Sequence, residues 1–97
     1  MLRKILCVER DGSVRESRCA VLEYSGYDAS SASPAVAEMM LRNQKFDLII
    51  LSKLAASEVR TVVNLADGAD VMVLEALTMP RELLSLVAER LDRQQKA

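Results

Sequence analysis

The chain has 97 residues, 13 basic and 14 acidic, with a net charge of −1 and 51% apolar residues. That is enough for one domain with one core, and it lacks the concentrated basic surface that nucleic acid or an anionic membrane requires. There is no histidine, which removes the usual general base, the usual metal ligand and any histidine phosphotransfer role.

The opening segment, MLRKILCV, has too short an apolar run for a signal peptide, and no stretch of the chain is long and apolar enough to span a membrane. A cytoplasmic location is expected. Residues 3–8, RKILCV, read as a first strand that ends at the polar cluster Glu9-Arg10-Asp11-Gly12. From Ser13 to about Ser25 the pattern is helical, with Val14, Val21 and Leu22 on one face and Gly26 as the stop. Arg18 falls where that face wants an apolar residue, so its stem is expected to pack while its charge reaches water. Tyr27 to about Ala32 is a second strand, small and polar, suited to a sheet edge.

Ser33-Pro34 opens a second helix, cap first and proline next. Its stripe is Ala37, Met40 and Leu41, and it ends near Gln44. The stretch FDLIILS (46–52) is the centre of the chain. Its four consecutive apolar residues stop at Ser52 and read as a strand buried on both faces of a parallel sheet. In such sheets function gathers at the carboxyl ends of the strands, which places Ser52 at the mouth of the fold.

From Lys53 to Asp67 two assignments compete. Val59, Val62, Val63 and Ala66 fall at helical spacing, with Ser57 as cap and Gly68 as stop, whereas TVVNLA has the β-branched content of a strand. The helix is the better fit. DVMVLE (70–75) is a fourth strand, and Thr78-Met79-Pro80 starts a last helix with the stripe Leu83, Leu84, Val87, Ala88 and Leu91. Its polar tail, Arg93 to Ala97, is expected to fray. Cys7 and Cys19 lie in apolar surroundings and read as buried free thiols. Met39, Met40 and Met72 read as core filler. The order β-α-β-α-β-α-β-α implies one doubly wound parallel sheet with helices on both faces.

Several fragments in this order resemble a known family. ILCVERD, RE…LEYSGY and AEMMLR…FDLIILS are similar to the first half of a bacterial response-regulator receiver domain, and GADVMVLEAL…ELLSLV to its last strand and helix. The resemblance covers about 1–52 and 68–92. It implies a flavodoxin-like (CheY-like) sheet in the order 2-1-3-4, one βα unit shorter than a full receiver. Roughly 25 residues are missing, the size of a strand and its crossover helix, and with them the strand that carries the family's switch Ser or Thr. The Met-Pro and Asp-Gly loop after the central strand is also absent.

Receivers phosphorylate an aspartate at the end of the central strand, hold Mg²⁺ with an acid pair after the first strand, and contact the phosphoryl group with a lysine after the last. The resemblance puts Ser52 at the phosphoacceptor position, Glu9 and Arg10 at the acid pair, beside Asp11, and Glu75 at the lysine. Every one of these but Glu9 has changed chemical class, so receiver-type phosphoryl chemistry, Mg²⁺ binding and enzymatic activity are not expected, and neither is a cofactor. Asp47 precedes the buried strand and so lies at its wrong end to serve as phosphoacceptor. Serine catalysis at Ser52 lacks a base.

The reversed signs raise an Arg10–Glu75 or Arg10–Glu9 ion pair in the metal's place, against the alternative of solvated charges. The deletion leaves VMVL (71–74) at a sheet edge, where Val71, Val73 and Glu75 offer a surface for a homodimer or a partner protein. Exchange of the last strand and helix between protomers is also open. The sequence thus favours a non-phosphorylatable receiver-like module of a two-component phosphorelay that acts by protein–protein interaction. The rival reading is a switch that senses a small ligand or ion in the strand-end crevice.

Overall fold

In the computed structural model, residues 2–52, 54–74 and 78–96 are described. The elements are β1 (Lys4–Glu9), α1 (Gly12–Tyr24), β2 (Asp28–Ala32), α2 (Pro34–Asn43), β3 (Leu48–Ser52), α3 (Ala56–Leu65), β4 (Asp70–Leu74) and α4 (Pro80–Lys96). All strand pairs are parallel, in the order β2-β1-β3-β4. This is the four-stranded sheet that the alternation of strand and helix patterns implied. The segment 53–67 resolves in favour of the helix.

Strand alternation sends side chains to two layers. Ile5, Cys7, Leu48, Ile50, Met72 and Leu74 face Cys19 and Leu22 of α1 and Leu83, Val87 and Leu91 of α4. Leu6, Val8, Ile49 and Leu51 face Ala37 of α2 and Val62 of α3. Covered on both sides, β3 is buried at all five positions, which is why its sequence is an unbroken apolar run. The small polar residues of β2 lie at the edge, as their composition asks.

Helix starts follow local chemistry. Asp11 caps α1, its Oδ1 accepting from the Ser13 and Val14 amides at 2.9 and 3.3 Å. Ser33 caps α2 ahead of Pro34. For α3 the expected cap, Ser57, lies inside the helix. The N-cap is Ala55, and the Glu58 carboxylate accepts from its amide at 3.0 Å. A helix whose cap has no side-chain acceptor thus satisfies one amide from its third residue instead. Gly26 takes φ +97° to reverse the chain after α1.

One sequence expectation fails at the periphery. Met39 is exposed, while Met72 packs in the core and Met40 lies partly buried. In the polar tail, α4 continues to Lys96. Gln94 Nε2 donates to the Asp47 carbonyl at 2.9 Å, and its Oε1 accepts from Arg3 Nη2 at 2.7 Å. Arg90 ties the same end of the helix to Asp70 at 2.9 Å. Gln94 and Arg90 fasten this end of α4 across the amino ends of the strands.

Candidate functional site

The parallel register sets Glu9 of β1 directly beside Ser52 of β3, at the last rung of the sheet. Both residues continue the alternation that points Ile5, Cys7, Leu48 and Ile50 toward α1 and α4, so both belong to that face. Glu9 is 1% exposed and Ser52 2%. Above them, α1 brings down Arg18, which is 7% exposed.

These three side chains form one polar network within an apolar layer. The Ser52 hydroxyl donates to Glu9 Oε2, and Arg18 Nη1 donates to Ser52 Oγ. Arg18 Nη1 also lies 3.8 Å from Glu9 Oε2. The other carboxylate oxygen, Oε1, accepts from the Asp11 amide at 3.2 Å. Charges buried to this degree persist when they are paired and hydrogen-bonded. The expectation that the Arg18 charge reaches water is therefore overturned. The residue sits on the core stripe because its charge has a partner inside.

Around this buried centre lies a second ring. Arg10 does not turn to Glu9. Its Nη2 pairs with Glu58 Oε1 of α3 at 2.5 Å, so the Arg10–Glu9 pair is not formed. Glu75, its other expected partner, lies outside the described residues. Glu58 is held below the usual glutamate range, first by the Ala55 amide and then by Arg10. Arg15 Nη1 donates to the carbonyls of Glu9 and Arg10 at 3.0 and 3.2 Å, fixing the turn out of β1. Asp11 is committed as the α1 cap, and Asp47 lies at the amino end of β3, its Oδ2 accepting from the Lys4 amide at 2.7 Å. Among the described residues no cluster of three or more acidic or cysteine side chains gathers to hold a metal.

The thiols belong to the same layer. Cys7 and Cys19 are free and buried. Burial pushes Cys7 up to about 12, and burial with a hydrogen bond to Glu23 pushes Cys19 up to about 11. At neutral pH both are inert fillers.

At the sheet edge, β4 pairs with β3 alone among the described strands. Val71 packs partly into the α2–α3 layer, while Val73, on the same face, is 48% exposed.

No family model matches the sequence, and no curated protein does. Solved structures do match. A response-regulator receiver domain (CheY-like) from Methanospirillum hungatei superposes with a TM-score of 0.71 at 22% identity, covering 99% of this chain and 98% of that one. A receiver domain from Methylobacillus flagellatus gives 0.72 at 15% identity, over 93% and 99%. NtrX from Brucella abortus gives 0.71 at 15% identity, with 98% of this chain matched to 28% of that one. The fold is that of receiver domains. At such identities the likeness establishes architecture, and the side chains must speak for the site.

Of the residues singled out from sequence, the structure brings Glu9 and Ser52 together and keeps Arg10 and Asp11 at the rim. Arg18, Arg15 and Glu58 were not identified as site residues. Arg18 did leave a signal, a cation on an otherwise apolar helical stripe.

Proposed function

We propose that this chain is a receiver-like domain that has given up phosphorylation and works by binding protein. The buried Arg18–Ser52–Glu9 network carries the reading. Phosphoryl transfer to a receiver needs a carboxylate nucleophile and a set of oxygens for a hard cation. At this rung the nucleophile's place holds a hydroxyl already bonded on both sides. The acid beside it, Glu9, is occupied by that hydroxyl and by the Asp11 amide, with a guanidinium supplying the positive charge. Uptake of Mg²⁺ and phosphate would have to displace a buried ion pair, which is costly. The domain is thus a fixed-state module, without catalysis of its own, in a bacterial cytoplasmic two-component pathway.

The surface best suited to association is β4. It is the edge strand of the sheet among the described strands, with an exposed Val73, and such edges invite pairing. A second copy or a partner protein is the occupant, in preference to nucleic acid or membrane, which the net charge of −1 does not attract. Two measurements test the reading together. Incubation with acetyl phosphate and Mg²⁺ should leave the intact mass unchanged. Light scattering over a concentration series should show self-association that Val73→Arg abolishes, or a monomer that captures a signalling partner through the same residue. A phosphoryl adduct would sink the proposal.

Arg18 also borders an open groove between α1 and α4. That observation favours a second reading, in which a small ligand biases the strand ends.

A further inference from the structure

Between α1 and α4 runs a groove of about 400 Å³, a size typical of small-molecule sites. Val14, Val21 and Leu83 give it apolar walls, Ser13 and Ser17 add hydroxyls, and Arg18 also lines it. Arg18 is the unusual member. A guanidinium carries five N–H donors in a planar fork, and among the described residues only Nη1 is engaged, by Ser52. Nε and Nη2 have no acceptor among the described residues, although the residue is 7% exposed. Arg18 is nonetheless one of the residues that line the groove. A buried cation with two N–H groups unmatched among the described residues thus borders an apolar groove.

We propose that this groove binds a small organic carboxylate with an apolar body. The carboxylate accepts from Nε and Nη2 of Arg18, as its planar fork favours. The body lies against Val14, Val21 and Leu83. Charge and shape select together: a purely apolar molecule leaves the donors unmet, and inorganic phosphate leaves the walls uncovered. Because the same guanidinium holds Ser52 and Glu9, occupancy is felt at the last rung of the sheet. This inference rests on the ligand reading and is independent of the association reading.

The test is an amide-resonance titration of the isotope-labelled full chain with hydrocinnamate and, separately, with hydrocinnamyl alcohol. The acid should bind at least about tenfold more tightly than the alcohol, as a charge-assisted hydrogen bond provides. Shifts should centre on the first half of α1 and the start of α4. Arg18 variants risk unfolding the chain, so the blocking variant is Ser17→Trp, at an exposed position on the groove. It should abolish binding and keep the dispersed spectrum of the folded protein. Equal affinity for acid and alcohol, undiminished binding by Ser17→Trp, or no binding of the acid at millimolar concentration would each overturn the proposal. None of these outcomes bears on association through Val73, which light scattering reads separately.

Discussion

Arg18 holds its Nη1 3.8 Å from the Glu9 carboxylate, and both side chains are buried in a layer that is otherwise apolar. One charge of such a pair cannot be removed without stranding the other. Arg18→Met should therefore cost about 3–5 kcal/mol, the range for breaking a buried pair. That is a large share of the about 5–15 kcal/mol available to a domain of this kind. Arg18→Met with Glu9→Gln should recover much of the loss, since no charge is then left behind. Urea denaturation of the two single variants and the double variant measures the coupling. Additive effects would show that the two residues do not act as a pair.

Ser52 bridges the two, so its hydroxyl can be tested by itself. Ser52→Ala leaves Arg18 Nη1 and Glu9 Oε2 each short of a bond, at a cost of about 1–3 kcal/mol. On the proposed reading, Ser52→Asp restores a carboxylate at the position that the resemblance to receivers assigns to their phosphoacceptor. Here it meets Arg18 in place of a metal, and the intact mass should stay unchanged after acetyl phosphate and Mg²⁺. Phosphorylation of that variant would show that the buried network by itself does not bar phosphoryl transfer, against the proposed reading.

The architecture was legible because burial writes itself into pattern. The Leu48–Leu51 run announced a doubly covered strand, and Ser33-Pro34 and Gly26 marked helix ends by their own backbone chemistry. The helix α3, Ala56–Leu65, was legible from Val59, Val62 and Ala66 in spite of its β-branched content. The site was less so. Helical spacing showed that Arg18 faces the core, but its acceptor lies 34 residues away on β3, and spacing along α1 carries no information about that residue. The same holds for Arg10, whose partner Glu58 comes from α3, and for Gln94, whose polar side chain read as solvated until Asp47 and Arg3 were placed beside it. Met39 fell outside the α2 stripe of Ala37, Met40 and Leu41, and the structure leaves it on the surface.

Glu58 gives the rim a pH signature. Its folded pKa lies below the ordinary 4.5, through the Ala55 amide and Arg10. The charged form thus favours the fold, in full above the ordinary value, and that contribution is lost as pH falls through the lowered one. Glu58→Gln should be less stable than wild type at neutral pH and should converge with it in acid. Urea midpoints of the two proteins across the acidic range check this. A gap that stays constant to the lowest pH would assign the effect to the side chain's shape rather than its charge.

Cys7 and Cys19, pushed up to about 12 and about 11 from 9.0, should ignore thiol reagents in the folded chain. Labelling with a chromogenic disulfide should be slow in buffer and rapid for both thiols in urea, since only the thiolate attacks. The sign also fixes the alkaline limb. The neutral thiols favour the fold fully below pH 9.0, and this support is lost as pH rises toward the folded values. Fast labelling of either thiol in the native state would place it at the surface.

Gln94 decides whether the end of α4 belongs to the fold. Its amide donates to the Asp47 carbonyl at 2.9 Å and its oxygen accepts from Arg3 at 2.7 Å, joining the last turn of the helix to the entries of β1 and β3. With each such bond contributing about 0.5–1.5 kcal/mol net, Gln94→Ala should lower the urea midpoint measurably and speed hydrogen exchange in the final turns of α4. The Lys4 and Asp47 amides, which bond to the Asp47 carboxylate and the Lys4 carbonyl, should lose protection in step, because the helix end and the strand entries are one unit. If the wild-type tail already exchanges as fast as a free peptide, and Gln94→Ala changes nothing, the helix ends earlier and its polar residues are merely solvated.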